Sequence, residues 1–208
     1  MHNYVEMVAA YFDKNPIDLA KEYQWPRREP VPFDQTFEKR KELSKTFNSE
    51  TQMRKLLATQ MVKTWGGIRR GSVSAIDEMA AEVPEQLIKR GLIRVASWSK
   101  VIALHDPEKF LIYDARVAFA INIILYKSGS IETYFPMPLS QNSHLKKAAK
   151  SLVGFRLKSG ASKIINGLDF YSAYLLLART VAQKIGRPPW QIEMALFARG
   201  PELAKEVT

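Results

Sequence analysis

The chain has 208 residues, of which 46% are hydrophobic and 25% are charged, and its formal net charge is +10. This length suits one folded domain, or one with a small appended lobe. The proportion of hydrophobic to charged residues excludes an intrinsically disordered chain. The sequence contains no cysteine, which excludes disulfides, thiolate catalysis and the zinc or iron–sulfur sites that need sulfur. The three histidines, His2, His105 and His144, are too scattered for a metal site, so we expect no metal and no cofactor. The positive charge favours a polyanionic partner such as nucleic acid.

No apolar run in the sequence is long enough to cross a bilayer, and the N-terminus lacks the basic-then-apolar layout of a secretory signal. We therefore expect a cytoplasmic protein without a membrane partner, associated with the nucleoid if it binds DNA. The oligomeric state is left open by the composition.

Helical spacing of apolar residues predicts an all-α fold, since no alternating strand pattern of any length is present. Two short helices are expected over residues 1–24. Residues 25–32 contain three prolines and are expected to be extended. They form either a linker between an N-terminal lobe (1–33) and a helical body (34–208) or a strap across the core of a single domain. The later helices are predicted over residues 34–47, 50–65, 72–90 with a break at Pro84, 92–105, 114–127, 144–153, 169–185 and 190–198.

A glycine-rich loop over residues 66–72 separates two of these helices. Its glycines allow a ligand to approach the backbone closely, and Arg69 and Arg70 are suited to pairing with phosphate oxygens. Ser72 is placed to cap the next helix. The loop lacks the Gly-Lys-Ser/Thr ending of a P-loop. It is either a contact to a nucleic-acid backbone or an ordinary connector with exposed arginines.

The helix predicted over residues 92–105 is apolar almost all round, which indicates burial on most sides. Lys100 lies among its apolar residues, so the lysine either extends its charged end to water or is desolvated, which makes an amine nucleophilic. The following helix begins at Asp114, and aspartate is a favoured N-cap residue. Asp114 is thus either a helix cap or a functional carboxylate at the junction of two buried helices.

The stretch over residues 133–168 has charge of one sign. No acidic residue occurs between Glu132 and Asp169, and the basic residues of this stretch predict a binding surface. They include Lys146, Lys147, Lys150 and Arg156. The aromatic and proline segment over residues 134–138, just before, either stacks on a nucleobase or wedges a duplex, or it packs against the body.

The run KVIALHDPEKFLIYDARV resembles the segment that follows the hairpin in the helix-hairpin-helix superfamily of DNA glycosylases, and above all its 8-oxoguanine glycosylase branch. In that family an apolar helix carries a lysine, a loop with proline follows, and an aspartate in a Val-Asp-x-His-Val type motif opens the next helix. Asp114 in Ile-Tyr-Asp-Ala-Arg-Val matches that aspartate. The resemblance covers about a fifth of the chain. The hairpin motif Leu-Pro-Gly-Val-Gly is absent, with residues 89–93 as its remnant, and aligning the prolines puts the family's lysine at Arg94 instead of Lys100.

The resemblance implies a compact multi-helix bundle that binds duplex DNA, extrudes a damaged or modified base and cleaves its glycosidic bond as a hydrolase. It implies that Asp114 stabilises positive charge on the sugar. It further implies that Lys100 would allow an additional lyase step, whereas an arginine in its place would leave water as the nucleophile. The expected DNA contacts are Arg69, Arg70, Arg94, Lys146, Lys147, Lys150 and Arg156, and the expected base-stacking aromatics are Trp98, Tyr113 and Phe135. A non-catalytic, lesion-sensing protein and a helical scaffold for a protein partner are the alternatives.

Overall fold

The structure, a computed structural model, describes residues 2–25, 30–69, 71–130, 134–140, 142–158 and 170–207, and it describes only the backbone of His2 and of residues 153–158. All regular secondary structure in these ranges is helical, so the predicted all-α class is confirmed. The α-helices are α1 (His2–Lys14), α2 (Leu19–Glu22), α3 (Phe33–Ser49), α4 (Arg54–Thr59), α5 (Val73–Ala81), α6 (Pro84–Lys89), α7 (Val95–His105), α8 (Ala115–Lys127), α9 (Ser143–Lys158), α10 (Phe170–Lys184) and α11 (Pro189–Lys205).

The helices form two compact units. Residues 1–23 and 114–208 make up one, called here the terminal unit, and residues 24–113 make up the other, called the middle unit. This division differs from the predicted boundary after residue 33, because α1 and α2 belong to the same unit as α8 to α11.

In the terminal unit α8 is the central helix, and every residue from Val117 to Leu125 is buried. The reason is its sequence, which carries no charge between Arg116 and Lys127. Helix α11 packs along α8 so closely that a Cβ atom on Gly200 would lie 2.8 Å from the carbonyl oxygen of Arg116. Helices α1 and α9 also contact α8.

In the middle unit α7 is the central helix, with Val95 and all residues from Trp98 to Leu104 buried. Helix α3 packs against it. The side-chain amide of Asn48 donates hydrogen bonds to the carbonyl oxygens of Leu104 (3.3 Å) and His105 (3.0 Å). These bonds satisfy carbonyl groups at the C-terminal end of α7 that have no partner within the helix.

The helix predicted over residues 50–65 consists of three helical segments that differ in their backbone hydrogen-bond pattern. A 3-10 turn (Thr51–Met53) leads into α4, and a π-helical segment (Gln60–Trp65) follows. The amide of Gly66 closes this segment by donating to the carbonyl oxygen of Met61 at 3.0 Å. A π-helical turn is uncommon and often occurs at functional sites, and this one leads directly to a contact with Lys100.

Candidate functional site

Asp114 is the N-cap of α8. Its Oδ1 accepts hydrogen bonds from the backbone amides of Arg116 (2.9 Å) and Val117 (3.1 Å), and the residue is half-buried. The interpretation of Asp114 as a cap is therefore confirmed. None of its hydrogen bonds in the described residues uses Oδ2. The two bonds fix Oδ1 and thereby set the direction of Oδ2. The predicted catalytic role of Asp114 stays a prediction.

The turn that carries Asp114 is supported by α11. The Arg116 guanidinium lies over the ring of Phe197, 4.5 Å from its centroid, and the Arg116 backbone lies against Gly200. Sequence reasoning missed this support. The local signal at this place, Gly200-Pro201, predicts the end of a helix and not a contact with α8.

Lys100 is buried in the middle unit, with 3% of its surface exposed. Its Nζ donates a hydrogen bond to the carbonyl oxygen of Ala96 at 2.8 Å, one turn earlier in α7. Its aliphatic chain lies against Gly66. Of the two alternatives for this lysine, the structure favours the desolvated one, because the charged end does not extend into water.

A helical hairpin precedes Lys100. Helices α6 and α7 contact each other and are joined by a turn over residues 90–94, in which Gly91 and Arg94 both have φ of 57°. The indole of Trp98 donates to the carbonyl oxygen of Gly91 at 2.9 Å and so ties the turn to α7. Arg94 is exposed, as are the two residues before it. A positive φ is uncommon for arginine and marks a tightly constrained turn. A hairpin is thus present even though the sequence lacks the glycine-rich motif.

The loop after the π-helical segment is closed by Lys63, a residue that sequence reasoning missed. Its Nζ donates to the carbonyl oxygens of Arg69 (3.3 Å) and Gly71 (2.7 Å). Arg69 is exposed, while Arg70 lies outside the described residues. The Oγ of Ser72 accepts from the amide of Ala75 at 3.3 Å, which confirms Ser72 as the cap of α5. Lys63 thus bonds to the backbone on both sides of residue 70, and the Arg69 side chain is exposed.

Helix α9 presents a basic face to solvent, called here the α9 basic face and formed by His144, Lys146, Lys147 and Lys150, all of them exposed. The opposite side of the helix, with Leu145, Ala148 and Leu152, is buried in the terminal unit. The Oδ1 of Asn142 accepts from the amide of Leu145 at 3.0 Å and caps the helix start. Arg156 lies in α9, but its side chain is outside the described residues. The predicted basic helix is confirmed and is longer than predicted.

The three aromatics predicted to stack on a base are core residues. Trp98, Tyr113 and Phe135 have 0% of their surface exposed. Tyr113 is tied through its backbone to Ser99, and Phe135 is tied through its backbone to Asn122. Because no ring face reaches solvent in this structure, the predicted stacking has no exposed surface to act through.

The predicted site residues are divided between the units. Lys100, Arg69 and Arg94 belong to the middle unit, whereas Asp114 and the α9 basic face belong to the terminal unit. Neither unit contains both Lys100 and Asp114. The predicted pairing of the Lys100 amine with the Asp114 carboxylate therefore stays a prediction.

Within the described residues no group of three or more histidine, aspartate or glutamate side chains has the arrangement to hold a metal ion. No helix in this part of the chain has the length and apolar character to cross a bilayer. Comparison with protein-family models, with curated proteins and with solved structures finds no match to this chain.

Proposed function

We propose that the chain binds duplex DNA and hydrolyses the glycosidic bond of a damaged or modified base. The observation that carries this proposal is the α9 basic face, where Lys146, Lys147 and Lys150 are exposed on one side of a helix. No acidic residue occurs in the sequence from residue 133 to residue 168 to neutralise them. Lysines that replace the counterions of a phosphate backbone supply most of the sequence-independent affinity for DNA.

The helical hairpin between α6 and α7 is the second support. Its turn lies directly before the helix that carries Lys100, where the resembling glycosylases have the turn of their hairpin. Its turn exposes Arg94. An exposed arginine at a constrained turn is suited to contact a phosphate oxygen at a defined place on the backbone.

Asp114 is the group proposed to act on the sugar. When the bond between the anomeric carbon and the base breaks, the base leaves with the bonding electrons and the sugar becomes positively charged. A carboxylate oxygen beside that carbon stabilises the charge. The Oδ1 of Asp114 is held by two backbone amides, so Oδ2 would meet the sugar with little loss of side-chain freedom. Water then adds its hydroxyl to the anomeric carbon, and its proton goes to the departing base.

Hydrolysis is favoured over a lyase reaction by the surroundings of Lys100. A lyase needs a lysine amine that attacks the anomeric carbon and forms a Schiff base. The Lys100 amine is instead bonded to Ala96 of its own helix, and the residue is 3% exposed. Attack would require the amine to leave this bond and reach the surface, so water is the nucleophile that we propose.

A sensor of damaged DNA that performs no reaction is the second candidate. It is favoured by the use of the Asp114 carboxylate as a helix cap, a structural role that needs no substrate. Such a protein would keep the DNA contacts of the α9 basic face and would release no base.

The test is base release from duplex oligonucleotides that contain a single oxidised or alkylated base, with and without borohydride. The sharpest variant is Asp114→Asn, because asparagine caps a helix as well as aspartate does but carries no charge. Lys100→Met is its companion, since methionine keeps an unbranched apolar chain next to Gly66 and removes the amine.

We expect base release that is lost in Asp114→Asn and retained in Lys100→Met, without a trapped adduct. A borohydride adduct that disappears in Lys100→Met would replace the hydrolase with a lyase. Salt-sensitive DNA binding without base release from any of these substrates would support the second candidate, a sensor of damaged DNA that performs no reaction. Absence of DNA binding at low salt would overturn the proposal.

A further inference from the structure

Leu139 is the most exposed of the large hydrophobic residues in the described part of the chain, with 93% of its surface in solvent. A single exposed leucine is common on protein surfaces and proves nothing alone. Its position is informative for two further reasons, the rigidity of its segment and the charge beside it.

The segment that carries Leu139 is anchored on its N-terminal side. The side chain of Asn122 donates to the carbonyl oxygen of Phe135 and accepts from its amide, both at 2.7 Å. Tyr134, Phe135 and Pro136 are buried. A buried amide that makes two short bonds to one residue fixes the backbone there. Leu139 follows this anchor by only four residues.

The segment is anchored on its C-terminal side as well. The Oγ of Ser140 accepts from the amide of Asn142 at 3.1 Å, and Asn142 caps the start of α9. Leu139 thus lies four residues after the buried anchor at Phe135 and next to Ser140, whose hydroxyl bonds to the residue that caps α9. An apolar side chain placed so close to anchored backbone is presented to a partner with little loss of conformational entropy on binding.

The charge beside Leu139 indicates the partner. The α9 basic face begins five residues after Leu139, and four chain steps plus one helical turn limit the Cα distance from Leu139 to Lys146 to about 19 Å. Leu139 and the lysines are therefore close enough to contact one partner together. Proteins that bend DNA combine cationic side chains on the phosphates with an apolar side chain inserted between base pairs.

We propose that Leu139 enters the base stack of duplex DNA while the lysines of the α9 basic face hold the adjacent phosphates. The inference rests on the proposed DNA binding and adds to it the residue that opens the duplex. Unstacking of one base step costs a few kcal/mol, which the contacts of the bent backbone to the basic face would offset. A base next to an opened step is easier to extrude.

An anionic membrane is the other partner that an apolar tip beside lysines suggests. Binding of a helix to a membrane surface requires an apolar face of the helix that is free to enter the bilayer. In α9 that face is buried in the terminal unit through Leu145, Ala148 and Leu152. Leu139 alone offers too little apolar surface, so DNA is the partner that the structure favours.

The experiment uses the full chain and a duplex with one 2-aminopurine beside a mismatch, because the fluorescence of 2-aminopurine rises when it unstacks. Leu139→Ala is compared with wild type and with Leu176→Ala, a matched control in which a leucine on α10 that is 53% exposed loses the same atoms. A triple change of Lys146, Lys147 and Lys150 to glutamine tests the phosphate contacts.

We expect the fluorescence rise in wild type and in Leu176→Ala and its loss in Leu139→Ala, with the Kd of Leu139→Ala raised by about tenfold or less. The triple lysine variant is expected to bind more weakly and to lower the slope of log K against log salt by about 2 to 3.

Two results separate the possible failures. If wild-type protein binds DNA with this salt dependence and Leu139→Ala gives the same fluorescence rise, the role of Leu139 is overturned and the proposed DNA binding stands. If wild-type protein fails to bind DNA at low salt, both proposals are overturned. Binding to phosphatidylserine vesicles that Leu139→Ala weakens would then assign the surface to a membrane.

Discussion

Gly66 lies directly against the aliphatic chain of Lys100. A Cβ atom at Gly66 would be 2.6 Å from Cε of Lys100, 2.7 Å from its Cδ and 2.7 Å from the carbonyl oxygen of Val62. The π-helical segment Gln60–Trp65 ends at this contact. The glycine therefore makes room for a lysine that is buried in the core of the middle unit.

The first prediction concerns this contact. We expect Gly66→Ala to destabilise the protein by about 1–3 kcal/mol, because the added methyl group would force Lys100 and the backbone at Val62 to move. For a chain of this length such a change lowers the Tm by about 2–4 °C per kcal/mol. Thermal unfolding followed by circular dichroism measures it.

A double-mutant cycle isolates the contribution of Lys100 to that cost. In a Lys100→Ala background the clash with Cδ and Cε is removed, and we expect Gly66→Ala to cost less by about 0.5–3 kcal/mol. The contact with Val62 remains in both backgrounds. Equal costs in the two backgrounds would show that the position of the lysine chain does not depend on Gly66.

Local signals in the sequence predicted the elements and their starts well. Asp114 and Ser72 were recognised as candidate caps, and the structure shows both capping, because a capping side chain bonds to amides two or three residues away, which is a property of the local sequence alone. The basic surface of α9 was likewise predicted, since the stretch from residue 133 to residue 168 contains basic residues and no acidic ones, and the structure exposes Lys146, Lys147 and Lys150.

Features that depend on distant residues could not be predicted in this way. Helix α11 was expected to end at Ala198, before Gly200-Pro201, but it continues to Lys205. Packing of Gly200 on α8 outweighs the low helix propensity of these two residues. Trp98 was expected to reach a base, yet its indole is used to hold the hairpin turn at Gly91.

The second prediction separates the two roles of Asp114. We expect Asp114→Ala to lower the free energy of unfolding by about 0.5–2 kcal/mol, because two amides at the start of α8 lose their acceptor. Asp114→Asn should remain within a few tenths of a kcal/mol of wild type, since asparagine is an equally good cap. Urea unfolding measures both. If Asp114→Asn lowers the free energy of unfolding as much as Asp114→Ala does, the negative charge of Asp114 itself stabilises the helix.

The third prediction concerns pH and rests on His105. Burial has the largest effect on His105 and lowers its pKa below the ordinary value of 6.5. A hydrogen bond to the backbone of Glu82 opposes this, the positive charge of Arg54 lowers the pKa further, and the negative charge of Glu85 has the smallest, opposing effect. The Nε2 atom of His105 is buried without a hydrogen-bond partner among the described residues, and the imidazole packs edge-on against Phe47. These surroundings favour the neutral ring in the folded state.

The direction in which stability changes with pH follows from the protons bound by the folded and unfolded states. In the unfolded chain His105 takes up a proton as the pH falls through about 6.5, whereas in the folded chain it does so only at lower pH. The contribution of His105 to stability is therefore fully present above pH 6.5 and is lost progressively below it. We expect the difference in Tm between wild type and His105→Gln to become smaller or change sign as the pH falls from about 7.5 to 5.5. His144→Gln, at an exposed position on α9, is the control and should show no such trend.

The last prediction concerns the support of Asp114 by α11. A Cβ atom at Gly200 would be 2.8 Å from the carbonyl oxygen of Arg116 and 3.0 Å from its Cβ. Alanine raises helix propensity by about 1 kcal/mol over glycine, so Gly200→Ala would stabilise a helix that packed loosely. We expect the opposite for Gly200→Ala, a net decrease of about 1–3 kcal/mol in the free energy of unfolding, because α8 and α11 would have to separate. Thermal unfolding gives the sign, and an increase in Tm would contradict the close packing. If Asp114 acts on DNA as proposed, base release should also fall, since the turn that orients its carboxylate begins at Arg116.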